Sequence, residues 1–209
     1  MTLVGLSQRV EEVSDRGEMR DALDGRWTEL LAALQMVAVP IPSLCDARQF
    51  VKQLRLDAIL LTGGNDLGSL SKSAANLRRD RIDGALLDFA VDERLPLIGI
   101  CRGAQFIASR FGSALSVVEG HVGVHHGVQR PRGALDPSPY GESFVVNSFH
   151  RYGITRLGEE LVPTAIAPDG TVEAFRHLNL RISGMMWHPE RSSPFQAADL
   201  QAFHMAVRS

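Results

Sequence analysis

A cysteine, a histidine and a glutamate in this sequence have local settings that suit nucleophilic catalysis. Cys101 lies in the stretch PLIGICRGAQF (96–106), between a β-branched apolar run and a Gly-punctuated segment able to start a helix. A strand followed directly by Gly-x-Cys-x-Gly puts the cysteine on a tight strand-to-helix turn. Such a turn strains the backbone, and glycines at 99 and 103 remove Cβ atoms that would collide there. The side chain then stands over a helix N-terminus, which favours a sulfur anion. The same pentapeptide also fits a small buried packing cysteine, so the assignment needs partners.

Two other segments offer them. In SGMMWHPER (183–191), His188 and Glu190 flank Pro189 after an apolar run that reads as a strand. In an extended chain, residues two apart point the same way, and proline stiffens the link. A carboxylate holding one imidazole nitrogen leaves the other free as a general base. A surface His-Pro-Glu turn would have the same sequence. In LLTGGNDLGS (60–69), a strand runs into Gly63-Gly64. Backbone N–H groups of such a side-chain-free turn can approach a substrate and hold an oxyanion; an ordinary turn is the alternative. No phosphate loop and no G-x-G-x-x-G motif is present.

The elements that must carry these residues follow from hydropathy. LVGL (3–6), VAVPIP (37–42), DAILLTGG (57–64) and LPLIGI (95–100) read as strands. Leu23, Trp27, Leu30, Leu31 and Leu34 share one helix face, as do Ile82, Ala85, Leu86, Phe89 and Ala90. A further helix is expected from Gly103 to Phe111, stopped by Gly112. This alternation predicts an α/β fold, a three-layer sandwich whose central, mostly parallel sheet is flanked by helices. In the second half, 119–143 is rich in Gly, Pro and His and reads as a long loop. Strands are expected at 143–147, 162–167, 171–176 and 181–186, and a helix from about Pro194 to Val207. With no repeat or linker evident, residues 1–209 are expected to form one domain.

Composition narrows the partners. A net charge of −2 on 209 residues gives no pull toward nucleic acid or anionic lipid. No targeting segment and no long apolar run is seen, so a soluble, cytoplasmic protein is expected, with an isologous homodimer as the baseline assembly. Two cysteines, Cys45 and Cys101, cannot build a disulfide framework, and Cys45 reads as a packing residue. His121, His125 and His126 offer imidazoles. Glycines at 120, 123 and 127 argue against a helix there, however, and no nearby acid completes a ligand set, so no metal and no cofactor is expected. Arg9, Arg78, Arg79 and Arg151 could meet a phosphate, with surface solvation as the default reading of each.

Seven pieces in order resemble the class I glutamine amidotransferase-like superfamily, and within it the γ-glutamyl hydrolase branch, peptidase family C26. They are VGLSQRV, LLTGGNDL, PLIGICRGAQ, EGHVGVHHGV, VNSFHRYGI, PDGTVEAFRH and GMMWHPER. The resemblance implies a Cys101–His188–Glu190 triad and an oxyanion hole from the backbone N–H groups of Gly64 and Arg102. It implies that Gln105, Asn65, Ser148 and Phe149 surround a γ-glutamyl group. His121, His150 and Glu173 fall in further family-like motifs, where site and structural roles both remain open.

The activity so implied is hydrolysis of a γ-glutamyl amide of a small molecule through a γ-glutamyl thioester, releasing glutamate. The N-terminal VGLSQRV, the segment at 22–42 and TGGNDL resemble hydrolases encoded with surface-polysaccharide pathways, which implies a nucleotide phosphoramidate substrate. Two alternatives stay open: a glutaminase subunit passing ammonia to a separate synthetase, and a non-catalytic ligand-binding relative.

Overall fold

The structure is a computed structural model, and it describes residues 1–131 and 138–208. The chain opens with strand β1 (Thr2–Ser7), a charged hairpin of β2 (Arg9–Val13) and β3 (Glu18–Ala22), helix α1 (Arg26–Ala33) and strand β4 (Met36–Ile41). Helix α2 (Ala47–Leu54), strand β5 (Ala58–Leu61), helix α3 (Ala74–Glu93), strand β6 (Leu97–Ile100) and helix α4 (Arg102–Arg110) follow. The second half adds β7 (Ala114–Val117), β8 (Val122–Gln129), β9 (Ser143–Phe149), β10 (Tyr152–Arg156), β11 (Leu161–Ile166), β12 (Val172–His177) and β13 (Ile182–Met185). A 3₁₀ turn (Pro189–Arg191) and helix α5 (Ala197–Arg208) complete it.

Local chemistry sets several boundaries. Asp46 and Ser73 cap α2 and α3 by accepting from the backbone N–H groups of Gln49 and Asn76, at 2.9 and 3.0 Å. Arg55 and Arg94 end the same two helices in the left-handed conformation.

Eleven strands form one sheet with the path β4-β1-β5-β6-β13-β12-β11-β8-β9, while β7 and β10 join through β12. The pairs from β4 to β13 are parallel, and those from β13 to β9 are antiparallel. β5 and β6 are buried along their whole length, as a strand covered on both faces must be. Ile59, Leu61 and Leu97 pack with Ile82, Leu86, Phe89 and Ile107 of α3 and α4. Leu60, Ile98 and Ile100 pack on the opposite face with Trp27, Leu30, Phe203 and Val207 of α1 and α5. This is the three-layer arrangement expected, with the first-half strands and helices where the periodicity put them.

The expected loop at 119–143 differs. Residues 122–129 form β8, paired antiparallel with β9 through registers such as His125 with Asn147 and His126 with Val146. The ribbon is largely exposed, so its sequence lacks the apolar alternation that marks a strand; pairing with β9 is what orders it. Residues 132–137 of that expected loop lie outside the described residues. The β2–β3 hairpin likewise has no apolar pattern to announce it. Among the described residues, no helix is long and apolar enough to cross a membrane.

Candidate active site

The C-terminal ends of β5, β6 and β13 lie side by side in the sheet, and the three candidate pieces leave from them. Thr62-Gly63-Gly64 follows β5, Cys101 follows β6 and His188 lies three residues past β13. In open parallel sheets this edge is where ligands bind.

Cys101 has φ 49° and ψ −105°, a region that a non-glycine residue occupies only when its surroundings force it. Its N–H donates to the Met185 carbonyl at 2.8 Å and its carbonyl accepts from Gln105 N–H at 2.9 Å, so β13 and α4 together fix the elbow. Both flanking glycines act as the sequence implies. A Cβ on Gly103 would overlap the Leu61 carbonyl, and one on Gly99 would come within 2.6 Å of the Gly103 carbonyl carbon. Helix α4 can therefore start directly over β5 and β6. Cys101 is 8% exposed.

His188 is buried with Glu190, its Nδ1 lying 2.6 Å from Glu190 Oε1. The link is not the extended segment expected from residue alternation. Residues 189–191 form a 3₁₀ turn that folds the carboxylate back onto the ring. Burial opposes a charge on His188. Hydrogen bonds and charge from Cys101 and Glu190 more than offset it, and the pKa rises to about 9. Asn147 on β9 clasps the His188 backbone on both sides, with Nδ2 donating to its carbonyl and Oδ1 accepting from its N–H, each at 2.8 Å. The motif VNSFH contains this asparagine, but nothing in sequence order links it to residue 188.

The Gly63-Gly64 turn closes the other side. A Cβ on Gly63 would lie 2.7 Å from His188 Cε1, and Gly64 has φ +94°. Arg102 opens α4, so its N–H is among those a first helical turn leaves without an intrahelical partner. A cleft of ≈ 280 Å³ beside the turn is lined by Gly63, Gly64, His188, Glu190, Arg191 and Arg9 among others.

Beneath the elbow lies an ionic network. The Arg102 side chain, 2% exposed, pairs with Asp80 and Asp83 of α3. Arg79, fully buried, pairs with Asp83 at 3.0 Å and donates to Ser7 Oγ and the Thr62 carbonyl. Arg79 is thus neither solvated nor free for a phosphate; it ties α3 to the ends of β1 and β5. Arg78 pairs with Asp21 and Arg9 with Glu11.

The other sequence candidates divide into two groups. The Phe149 ring stands edge-on to His188 at 5.8 Å, with the Arg191 guanidinium 4.5 Å over its face. Gln105 donates to the Tyr152 carbonyl at 2.7 Å. Asn65 spends its amide on Val10, accepting from its N–H at 2.8 Å and donating to its carbonyl at 2.9 Å, so it anchors the β2 strand. Ser148, fully buried, donates to the His121 carbonyl at 2.7 Å. His121 and His150 gather with His126 around Glu173. The acid of this cluster, Glu173, comes from β12. Cys45 is half-buried and packs against the core as expected.

The chain compares closely with known proteins. The family model described as Peptidase C26 matches residues 2–190. The chain is 35% identical to γ-glutamyl-CDP-amidate hydrolase of Campylobacter jejuni over 91% of its own length and 90% of that protein. It is 31% identical to γ-glutamyl-γ-aminobutyrate hydrolase of Escherichia coli O157:H7 over 57% of this chain and 55% of the other. A solved glutamine amidotransferase from Thermotoga maritima superposes with TM-score 0.68 at 13% identity, covering 99% of this chain and 84% of that one.

Proposed function

The chain belongs to the Peptidase C26 family, and from that footing we propose that it hydrolyses a γ-glutamyl amide through Cys101, His188 and Glu190. The observation that carries this reading is the strained Cys101 elbow at the end of β6 beside a buried His188, which Glu190 holds at 2.6 Å and whose pKa Cys101 and Glu190 together raise.

In this reading the Cys101 sulfur anion attacks the γ-carbonyl carbon, and the negative oxygen of the tetrahedral adduct accepts from the Gly64 and Arg102 N–H groups. The imidazolium of His188 gives its Nε2 proton to the departing nitrogen as the carbon–nitrogen bond breaks, leaving a γ-glutamyl thioester. Neutral His188 then takes a proton from water as it attacks the thioester carbon, and the sulfur leaves with glutamate released. Glu190 keeps the Nδ1 proton in place throughout. Each oxyanion donor in such a site is worth roughly 3–4 kcal/mol.

The substrate class we favour is a γ-glutamyl nucleotide phosphoramidate. Support comes from the span of the likeness, which runs nearly end to end with the γ-glutamyl-CDP-amidate hydrolase and over about half of the aminobutyrate enzyme. The test is glutamate release from a panel of γ-glutamyl amides, nucleotide phosphoramidates included, by wild type and Cys101→Ser. Turnover of the phosphoramidates, abolished in the variant, supports the reading. Equal rates with the variant remove Cys101 from the mechanism, and glutaminase activity that emerges only with a partner synthetase would replace hydrolysis by ammonia transfer.

A further inference from the structure

A second constellation, separate from Cys101 and His188, joins three imidazoles and a carboxylate from four places in the chain. His121 immediately precedes β8, His126 lies on it, His150 immediately follows β9 and Glu173 lies on β12. His121 Nδ1, His150 Nε2 and His126 Nε2 stand 3.2, 3.4 and 3.9 Å from Glu173 Oε1. All four converging atoms fall within 4.8 Å of one another. Glu173 is fully buried, and His121 and His150 are 4% and 3% exposed.

The far side of each ring is already engaged. His121 Nε2 meets the Asp169 carboxylate at 2.9 Å, His150 Nδ1 meets the Tyr152 carbonyl at 3.2 Å, and His126 Nδ1 meets the Gly127 carbonyl at 3.2 Å. An acceptor at one ring nitrogen draws the proton there and leaves a lone pair on the other. The inner atoms His121 Nδ1, His126 Nε2, His150 Nε2 and both Glu173 oxygens are buried without a hydrogen-bond partner. Acceptors facing one another in a dry interior are costly unless a cation lies among them.

We propose that His121, His126, His150 and Glu173 bind one divalent transition-metal ion of the zinc type. Imidazole nitrogen suits that class and not magnesium or calcium, which take oxygen. Ligands about 2.0–2.1 Å from such an ion lie roughly 3.3–3.4 Å apart in a tetrahedron, close to the two shorter separations seen here. Three nitrogens and one oxygen fill four positions, and a buried, fully occupied set is structural. Asp169 is the outer carboxylate that orients His121. The ion would lock the exposed β8–β9 ribbon onto β12. Because β9 also carries Asn147, which clasps His188, the metal would position the active-site histidine without touching substrate. The sequence expectation of no metal weighed only acids near the histidines, whereas Glu173 lies 47 residues beyond His126 (173 − 126 = 47).

The test uses the full chain carrying Cys101→Ser, which removes the Cys101 sulfur as a competing metal ligand. Protein stripped with a chelator and shown to remain folded is titrated at neutral pH with Zn²⁺, and in parallel with Co²⁺. One equivalent is expected to bind, Co²⁺ giving the intense visible bands of a tetrahedral site. Affinity should fall about 10–100-fold in Asp169→Asn, which alters only the outer carboxylate, and by at least about 100-fold in His126→Ala/His150→Ala. Should the double variant not fold, Asp169→Asn decides alone. Absence of uptake at micromolar Zn²⁺, uptake indifferent to these substitutions, or a proton shared between Glu173 and a ring nitrogen seen by NMR in metal-replete protein would each overturn the site.

Discussion

Glu190 Oε1 lies 2.6 Å from His188 Nδ1 across a single intervening proline, both groups shut away from solvent. A carboxylate accepting from Nδ1 fixes the ring tautomer and leaves the Nε2 lone pair free. Glu190→Gln keeps the volume but removes the charge and can present an N–H instead. We expect kcat to fall about 10³–10⁴-fold with circular dichroism unchanged. A loss under tenfold would mean that Glu190 does not orient His188.

His188 should betray its neighbours by its titration. With its pKa raised to about 9 in the folded chain, an NMR titration of the ring is expected to show a midpoint near that value, falling in Glu190→Gln and in Cys101→Ser. The folded value exceeds the ordinary 6.5, so the stabilisation is complete below 6.5 and disappears as pH rises through about 9. The stability difference between wild type and His188→Gln, followed by denaturant melts, should therefore shrink across that window. A difference that is flat with pH contradicts the assignment.

Gly63 has no room for a methyl group. Gly63→Ala would bring a Cβ within 2.7 Å of His188 Cε1, and the ring must move. Displacements of this size cost about 100-fold in turnover when they separate reacting groups. Steady-state kinetics should show the loss in kcat, with KM changed far less, and wild-type kcat would refute the contact.

Arg79 stabilises by ending a buried charge pattern. Arg79→Met takes away one of the two buried cations paired with Asp83, Arg102 remaining, and removes the donor to Ser7 Oγ and the Thr62 carbonyl, so unfolding free energy should drop by about 1.5–3 kcal/mol in urea melts. Arg48→Ala, whose pairs with Asp92 and Glu93 lie in solvent, should stay within about 1 kcal/mol of wild type. Similar effects for the two would mean that burial does not govern these pairs.

Much of the first half was legible because each element carries its own period. The strands β1, β4, β5 and β6 are apolar runs, β5 and β6 buried on both faces, and α1 and α3 display apolar faces that need no partner to be recognised. The β2–β3 hairpin and β8 were not legible. Their residues are charged, histidine-rich or exposed, and they are strands only because another segment supplies hydrogen bonds.

Sequence alone determined the candidate residue types and two of their local turns, the Gly-x-Cys-x-Gly elbow and the diglycine turn, each written in adjacent residues whose covalent geometry dictates the local shape. The shape of the His-Pro-Glu link was not legible. Tertiary structure decided everything that depends on strand order. Placing β5, β6 and β13 side by side brings Gly63, Cys101 and His188 to one edge, and continuing the same sheet through β12 to β9 delivers Asn147 to His188 and Glu173 to three histidines. Such contacts span tens of residues, and no local preference encodes them, because they arise from burying many surfaces at once.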